Sequence, residues 1–361
     1  MHSTLNTLLK GSKNPIQIMA RILVTGGAGY IGSHTAVELM QQGYDVTIVD
    51  NLSNSNVDVL DGITAIVGRR PEFANIDCND FVNLDSVFRQ YPDIVGVIHF
   101  AASKAVGESV QKPLLYYRNN IGSLITLLEV MKRHQVQNIV FSSSCTVYGQ
   151  PDKAHLPVDE TAPIQKALSP YGNTKQINED IIRDEAHADA NLHATILRYF
   201  NPIGAHPSAL IGELPNGVPN NLLPFVTQTA AGLRKELKVF GDDYDTPDGS
   251  CIRDYIYVVD LAKAHVKAVE RMLKNEAAEQ VETFNLGTGR GLSVLEIVNA
   301  FMDATGVKIP YEIVGRREGD IEKVWANPTK ANTVLGWKAE TPIKDVLLSA
   351  WNWEKHLRNI Q

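Results

Sequence analysis

The chain has 361 residues, 44 % of them hydrophobic, and its 34 Lys and Arg residues against 41 Asp and Glu residues give a formal net charge of −7. This acidic balance argues against broad nucleic-acid binding, and no apolar run approaches the roughly 18 residues that a membrane span needs. The three cysteines lack the spacing of a zinc or redox motif, so we expect reduced thiols, no metal site and a cytoplasmic location.

Short β-branched runs alternate with longer amphipathic stretches from residue 21 onward. Residues 1–18 are polar, and we interpret them as an N-terminal extension. The pattern predicts strands at 21–25, 45–50, 96–102, 138–144 and 193–200, and helices at 30–42, 113–134 and 171–189. This order is typical of a doubly wound parallel α/β sheet of the Rossmann type, which binds ligands at the carboxyl ends of its strands.

The character of the chain changes near residue 200, where five prolines fall within 23 positions. We predict a dinucleotide-binding domain over 19–199 and a second, smaller α/β lobe for the substrate over 200–361. A later strand-helix pattern at 255–275 is expected to rejoin the first sheet.

A glycine-rich turn follows the first predicted strand and opens the first predicted helix. In the run TGGAGYIG, Gly26 permits a tight turn, Gly29 lets a pyrophosphate approach the backbone, and Gly32 allows the helix to pack on the sheet. Asp50 lies 18 residues after Gly32, where a carboxylate can bind the adenosine ribose. No Arg or Lys follows it to meet a 2′-phosphate, so NAD is favoured over NADP.

Asp77 follows an extended run and has two interpretations, a contact to the adenine or a loop aspartate at a turn. The predicted cofactor set also includes residues that adjoin these motifs, namely Tyr30, Ile31, Asn51 and Cys78.

A tyrosine and a lysine four residues apart begin the third predicted helix. Tyr171 and Lys175 therefore emerge on one face, where an ammonium and an oxidised nicotinamide both favour the phenolate form of the tyrosine. Ser144 ends a buried-looking strand, and its hydroxyl can bind a sugar oxygen while Tyr171 removes the proton. Ser142 and Ser143 are interpreted as strand-end caps, and Cys145 as small apolar packing.

Several motifs along the chain resemble the extended short-chain dehydrogenase/reductase family, and within it the UDP-glucose 4-epimerases. They are TGGAGYIG, FAASKAVGES, SSSCTVYG, SPYGNTK, RYFNPIGAHPS, PNNLLPF, FGDDYDTPDGSCIRDYIYVVDLA, NLGTG and RREGD. The resemblance runs from about residue 19 to the C-terminus. It implies that Tyr171 is the base, that Lys175 binds ribose and tunes the phenol, and that Ser144 contacts the 4-hydroxyl. It further places Lys104 near the nicotinamide and its ribose, and Asn119 on the dinucleotide.

The implied reaction inverts carbon 4 of a UDP-hexose, UDP-glucose to UDP-galactose, through a transient 4-keto sugar, with NAD tightly bound and recycled in place. It belongs to galactose and carbohydrate metabolism.

The predicted substrate side needs cations for two phosphates and amides for uracil. Candidates by residue type are Asn201, Asn220, Asn221, Arg253 and Arg317. The resemblance implies that the two arginines meet the diphosphate, that Asn201 and Asn221 hold the nucleotide-sugar, and that Asp320 contacts the uridine ribose.

Val324 departs from a pattern common in bacterial members, which carry a tyrosine at this position. Because the resemblance places it in the sugar pocket, the smaller side chain should leave room for a 2-acetamido group. We therefore expect UDP-N-acetylglucosamine to be accepted beside UDP-glucose.

Rival interpretations remain open at this stage. UDP-glucuronate or UDP-pentose epimerisation is not excluded by the sequence. A 4,6-dehydratase should carry an Asp-Glu pair soon after the strand-end serines, where this chain has Cys145, Thr146 and Val147. A non-catalytic NAD sensor would not need Ser144, Tyr171 and Lys175 together.

The predicted helices at 113–134 and 171–189 resemble those that form a four-helix contact between subunits in this family, which predicts a homodimer.

Overall fold

The computed structural model describes residues 20–317 and 320–360. The predicted N-terminal extension over 1–18 therefore lies outside the described residues. Within the described ranges, no helix is both long and apolar enough to cross a bilayer.

A seven-stranded parallel sheet lies at the centre of a three-layer arrangement, with helices on both of its faces. Its strands lie in the order β10, β6, β5, β4, β1, β2, β3, and every neighbouring pair is parallel. The bounds are β1 (Arg21–Thr25), β2 (Asp45–Asp50), β3 (Glu72–Asn75), β4 (Ile94–His99), β5 (Asn138–Ser144), β6 (His193–Tyr199) and β10 (Val281–Leu286). The doubly wound fold is thereby confirmed, and the order reverses on either side of β1, which creates the crevice that such sheets use for ligands.

Helices cover both faces of this sheet. They are α1 (Tyr30–Gln41), α2 (Val59–Val67), α3 (Phe81–Gln90), α4 (Val106–Gln111), α5 (Pro113–Arg133), α6 (Pro170–Ala188) and α8 (Val258–Leu273). One apolar core includes Val37 of α1, Ile48 of β2 and Leu261 of α8, and the opposite core includes Leu127 of α5 and Ile182 of α6. The parallel strands are apolar on both faces because each face packs against a helix layer.

Smaller sheets and three further α-helices lie in the rest of the described chain, beside short helical segments such as Cys145–Tyr148 and Ala331–Leu335. The strands are β7 (Asn201–Ile203), β8 (Leu237–Phe240), β9 (Ile252–Tyr257), β11 (Gly291–Ser293), β12 (Tyr311–Val314) and β13 (Lys323–Val324). The helices are α7 (Leu222–Ala230), α9 (Val294–Thr305) and α10 (Ile343–Arg358). Strand β9 is central, since it pairs with β7, β11 and β13.

The domain division near residue 200 stays a prediction, and two features of the topology bear on it. Strand β9 of the 255–275 pattern lies in the small sheet, whereas the helix that follows it, α8, packs against α1. The seventh strand of the large sheet, β10, also comes from beyond residue 200. The chain therefore crosses between the two sheets more than once.

Most predicted element bounds agree with the structure to within two residues. The largest difference is at β4, which was expected at 96–102 and ends at His99. Phe100 still donates its backbone N–H to Thr25 at 3.0 Å, and Ala101 packs directly under Gly26. The segment therefore leaves the sheet to support the glycine turn.

Candidate active site

The glycine turn between β1 and α1 is built by close backbone approaches. Gly26 has φ +68°, and a Cβ there would lie 2.8 Å from the backbone nitrogen of Ala101. At Gly32 a Cβ would lie 2.4 Å from the Gly26 carbonyl oxygen, so this glycine packs on the turn itself. Gly27 makes the approach to the sheet that was expected at Gly32, since its Cβ would meet Ile48 at 2.8 Å.

The start of α1 suits a bound anion. Gly29 is the N-cap and makes no side-chain capping hydrogen bond, and no acidic residue lies in the first turn. The first backbone N–H groups of a helix have no partner within the helix, and its dipole places partial positive charge there. Tyr30 and Ile31 in this first turn face the second lobe, where the Tyr30 hydroxyl donates to the Gly204 carbonyl at 2.6 Å.

Asp50 ends β2 beside this turn. One carboxylate oxygen accepts from the Ala28 backbone N–H at 3.1 Å, and the other accepts from the Ser55 hydroxyl at 2.8 Å. The carboxylate therefore already holds a hydroxyl in the manner proposed for a ribose. Together with the open helix start, this donor and acceptor set fits a dinucleotide.

A chain of amide and carboxylate contacts lies next to Asp50. The Asn51 side chain donates to Asp77 at 3.1 Å, and Asn79 connects Asp77 to Asn119 through contacts of 2.8 and 3.3 Å. Burial would raise the pKa of Asp77, but the hydrogen bonds from Asn79 and Asn51 outweigh it and lower that pKa. The structure thus brings Asn51, Asp77 and Asn119 together along one rim, and Asn79 was missed by the sequence reasoning.

Cys78 lies behind this rim, and it is buried. Burial, reinforced by the charges of Asp77 and Asp50, raises the pKa of its thiol to about 12. The side chain therefore stays protonated and contributes packing to this wall rather than charge.

The helix α6 begins with a capped turn and carries both catalytic candidates. The Ser169 hydroxyl accepts from the Gly172 backbone N–H at 3.1 Å, and Pro170 occupies the first helical turn. Tyr171 and Lys175 project from one face, with the lysine nitrogen 6.0 Å from the centre of the tyrosine ring. The predicted geometry on the helix is therefore present.

Ser144 meets Tyr171 at the carboxyl end of β5. The neighbouring Ser144 side chain lowers the pKa of Tyr171, and the Ser144 hydroxyl accepts from the Thr146 backbone N–H at 3.2 Å. The interpretation of Ser142 and Ser143 as strand-end caps is wrong, because Ser144 caps the short helix Cys145–Tyr148. Ser142 instead contacts the Tyr199 hydroxyl, and Ser143 donates to Glu179 at 2.6 Å.

Burial is the largest influence on the pKa values of Tyr171 and Lys175. Burial raises the pKa of Tyr171 to about 12, and the hydrogen bond with Ser144 opposes that rise. Burial lowers the pKa of Lys175 to about 8, against the charge of Glu179. The protein alone therefore does not lower the tyrosine pKa, because burial dominates. The Lys175 ammonium donates to the Ser142 carbonyl at 2.6 Å.

Cys145, next to Ser144, is buried, and burial raises the pKa of its thiol to about 12. It packs in a small apolar cluster with Val324 and Phe200. Val324 is 2 % exposed and pairs with Arg253 across β13 and β9. Val324 therefore forms a buried wall beside Cys145, the residue that follows Ser144.

The predicted diphosphate ligands are paired with one aspartate. Asp320 accepts from Arg317 at 2.7 Å and lies 3.9 Å from Arg253. The Arg317 guanidinium also lies 5.4 Å from the ring centre of Phe240, a partly exposed aromatic that the sequence reasoning missed. A signal was available, since Phe240 opens the motif that contains Arg253.

A glutamate that was not predicted connects the cofactor and substrate candidates. Glu213 accepts from the Asn221 side chain at 2.6 Å and lies 3.6 Å from the ammonium of Lys104. Asn201 begins β7 and is partly buried, whereas Asn220 is exposed. The structure therefore joins Asn221 to Lys104 but gives Asn220 no comparable contact.

Comparisons with known proteins agree with this architecture. The model of the GDP-mannose 4,6-dehydratase family matches residues 23–349. The chain is 50 % identical to the UDP-glucose 4-epimerase of Dictyostelium discoideum, over 92 % of this chain and 95 % of that protein. It is 53 % identical to the bifunctional protein GAL10 of Pachysolen tannophilus over 93 % of this chain, but it spans only about half of that protein, 49 %.

A solved structure gives the same picture. The UDP-glucose 4-epimerase of Bifidobacterium longum, in complex with NAD+ and UDP, superposes with a TM-score of 0.90 at 48 % identity. The alignment covers 94 % of this chain and all of that one, 100 %. Both sheets and the loops between them therefore belong to one shared architecture.

Proposed function

This chain belongs to the GDP-mannose 4,6-dehydratase family and within it to the UDP-glucose 4-epimerases, and from that membership we infer that it is an NAD-dependent isomerase. It inverts carbon 4 of a UDP-hexose, interconverting UDP-glucose and UDP-galactose. The dehydratase alternative is disfavoured because Cys145, Thr146 and Val147 supply no acid or base after Ser144. The observation that carries the proposal is the placement of Tyr171 and Lys175 on one face of α6, with the lysine nitrogen 6.0 Å from the tyrosine ring centre and bonded to the carbonyl of Ser142, two residues before Ser144.

We assign the roles of the three residues as follows. Ser144 holds the 4-hydroxyl by a hydrogen bond, and Tyr171 takes its proton and later returns it. Lys175 favours the phenolate by its charge. The bound NAD supplies a hydride acceptor that returns the hydride, so the sugar passes through a 4-ketone and the net reaction is redox-neutral.

The surroundings of Tyr171 support a base that stays protonated, and is therefore inactive, in the protein without cofactor. Its pKa of about 12 keeps the phenol protonated near neutral pH. The positive charge of oxidised nicotinamide would favour the phenolate. We therefore propose that proton removal is coupled to the presence of the oxidised cofactor.

Binding of the cofactor is assigned to the residues around the glycine turn and the neighbouring rim. Gly26, Gly29 and Gly32 form the turn, and the start of α1 with Tyr30 and Ile31 faces the pyrophosphate. Asp50 takes the adenosine ribose, and the rim takes the adenine side. That rim comprises Asn51, Asp77 and Asn119, with Cys78 buried behind it. Lys104 and Lys175 are assigned to the nicotinamide ribose.

The substrate is assigned to the loops of the second lobe. Arg253 and Arg317 bind the diphosphate, Asp320 the uridine ribose, and Asn201, Asn220 and Asn221 the nucleotide-sugar. Arg317 is mostly exposed and already paired with Asp320, so the arginine can exchange partners when an anion arrives. Val324 limits the sugar pocket, and we propose that UDP-N-acetylglucosamine is also accepted.

The test offers the purified protein UDP-glucose, UDP-galactose and their 2-acetamido analogues without added cofactor. We expect interconversion of both pairs with NAD retained through turnover. UDP-glucuronate and a UDP-pentose are included, because exclusive turnover of either would replace the hexose assignment. A strict requirement for stoichiometric external NAD would contradict the recycling mechanism.

A homodimer and a cytoplasmic location are the remaining proposals. Helices α5 and α6 pack against each other, and α5 leaves Leu114 77 % and Ile125 42 % exposed. A second copy would cover these side chains and complete a four-helix contact. Light scattering should give twice the chain mass, and Ile125→Glu should lower it. The free, buried thiols of Cys78, Cys145 and Cys251 support a reducing compartment.

A further inference from the structure

A buried carboxylate lies one helical turn beyond the catalytic lysine. Glu179 is 3 % exposed and follows Tyr171 and Lys175 at the same four-residue spacing on α6. Residues at this spacing share one helix face. Glu179 therefore belongs to the face that carries the catalytic pair, although it is not assigned to cofactor or substrate.

This glutamate ties α6 to the strand that ends at Ser144. Its carboxylate accepts from the Ser143 hydroxyl at 2.6 Å, while Lys175 donates to the Ser142 carbonyl at 2.6 Å. Two successive residues of β5 are thus held by two successive turns of α6. A shift of the helix along the strand would break both contacts at once.

Two arginines complete the surroundings of the carboxylate. Arg198 of β6 approaches it through two nitrogens, at 2.9 and 2.5 Å, and is itself 4 % exposed. The more exposed Arg183 lies at 3.1 Å. Charge-assisted paired bonds of this kind fix both orientation and ionisation, and they hold the pKa of Glu179 below its usual value despite burial.

Glu179 is the carboxylate whose charge favours the ammonium form of Lys175. Tyr171 of the same helix and His99 of β4 also lie near Lys175. Arg198 and Tyr199 of β6 contact its neighbours Glu179 and Ser142. On α5 and on the short helix after Ser144, Tyr116 and Cys145 lie close enough to Tyr171 for their charges to interact with it. Burial lowers the pKa of His99 to about 3, so that ring is neutral.

We propose that Glu179 is a positioning residue for the reaction: its carboxylate keeps Lys175 as an ammonium and fixes α6 against the strand that carries Ser144. The inference rests on the proposed function, because it gives Lys175 a task that requires charge. Burial of Lys175 works against that charge, and the Glu179 carboxylate is the group that opposes it.

The test measures the pKa of Lys175 in the NAD-bound enzyme by NMR of isotope-labelled lysine side chains. The Lys175 signal is assigned by its absence in Lys175→Met. In Glu179→Gln we expect the pKa of Lys175 to fall by about one unit or more, because an opposite charge has been removed. The alkaline limb of the kcat/KM profile should move to lower pH with it. Glu179→Asp keeps the negative charge, so the pKa of Lys175 and the alkaline limb should return most of the way to their values in the unaltered enzyme.

Arg183→Gln is the matched control, since it removes a partner of Glu179 but keeps its charge. It should leave the Lys175 titration at or slightly above its original value. A Glu179→Gln enzyme that loses activity while Lys175 titrates as in the unaltered protein would overturn the proposal and leave Glu179 a merely structural residue.

Removal of Glu179 alone leaves the buried Arg198 unpaired, which can prevent folding. The double variant Glu179→Gln/Arg198→Gln leaves neither of these buried charges unpaired, and its reference is Arg198→Gln, which keeps the Glu179 carboxylate with its second partner Arg183. We expect a lower Lys175 pKa in the double variant than in Arg198→Gln, and equal values would overturn the proposal. The titration does not need turnover. An unaltered enzyme that fails to epimerise would therefore refute the proposed function without affecting this measurement.

Discussion

The catalytic face of α6 and the arginine loops of the second lobe hold their charged side chains in different ways. Lys175 and Glu179 are buried and bonded to β5, whereas Arg317 has a side chain that is 57 % exposed and is paired with Asp320 three residues away. Exposed pairs contribute little to stability and exchange partners readily, whereas buried charges are costly to leave unpaired. The proposed catalytic groups are therefore fixed by buried contacts, whereas the arginine proposed to bind the anion is exposed and can exchange partners.

Loss of the Tyr171 hydroxyl should have the largest effect on catalysis. In Tyr171→Phe we expect kcat to fall about a hundred- to ten-thousandfold, since the proton has no other acceptor at that position. The NAD content of the purified protein should be unchanged. Coupled assays of UDP-galactose formation measure the first quantity and absorbance after denaturation the second.

Tyr311→Phe serves as the comparison, because Tyr311 lies on β12 and is 42 % exposed. It should retain full activity. Comparable activity in the two variants would remove Tyr171 from the mechanism and return the non-catalytic NAD sensor to consideration.

Removal of Arg317 tests the exposed, exchangeable ion pair on the proposed substrate side. Arg317→Ala should raise the KM for UDP-glucose about tenfold, with kcat nearly unchanged, because a charge-assisted contact to the diphosphate is lost from an exposed site. The neighbouring Arg316 pairs with Asp243 and lies over Tyr244 at 4.0 Å. Arg316→Ala should therefore have a smaller effect, and equal KM values in the two variants would contradict the assignment of Arg317.

The wall formed by Val324 tests substrate range. In Val324→Tyr the larger side chain should lower kcat/KM for UDP-N-acetylglucosamine about tenfold relative to UDP-glucose. Overpacking of this buried cluster can itself cost about 1–3 kcal/mol, so thermal unfolding is measured alongside. Val324→Ile provides a smaller step in size. Undiminished turnover of the acetamido sugar in a folded Val324→Tyr enzyme would remove the steric argument.

Acid should weaken the nucleotide-binding side through its buried histidines. Burial lowers the pKa of His34 and His99 to about 3 and that of His265 to about 4, from 6.5. The unfolded chain therefore takes up protons that the folded chain does not, and stability falls as the pH drops from about 6.5 toward those values.

Urea midpoints measured between pH 8 and 5 test this expectation. His34→Gln should flatten the acid slope by about 1.4 kcal/mol per pH unit at most, which is one histidine's share. The exposed His155 offers the control, because His155→Asn should leave the slope unchanged. A slope that is the same in His34→Gln as in the unaltered protein would contradict the buried-histidine origin.

Local sequence determined the elements and most of the candidate residues. Strands β1, β2 and β5 were predicted with their observed bounds, because short β-branched runs between turn residues carry that information without reference to the rest of the chain. The glycine turn, the spacing of Tyr171 and Lys175 and the position of Asp50 are local patterns as well. These features, with the motifs, were enough to predict the fold class, the cofactor and the reaction type.

Only the tertiary structure decided which side chains share partners. Glu179 meets Ser143 and Arg198, and Glu213 joins Lys104 to Asn221, across separations in sequence that no local pattern reports. The raised pKa of Tyr171 was missed for the same reason, since burial depends on what the fold packs around a residue. Spacing along the chain fixes neighbours within one helix or strand, whereas desolvation and ion pairing arise from contacts between elements that the fold brings together.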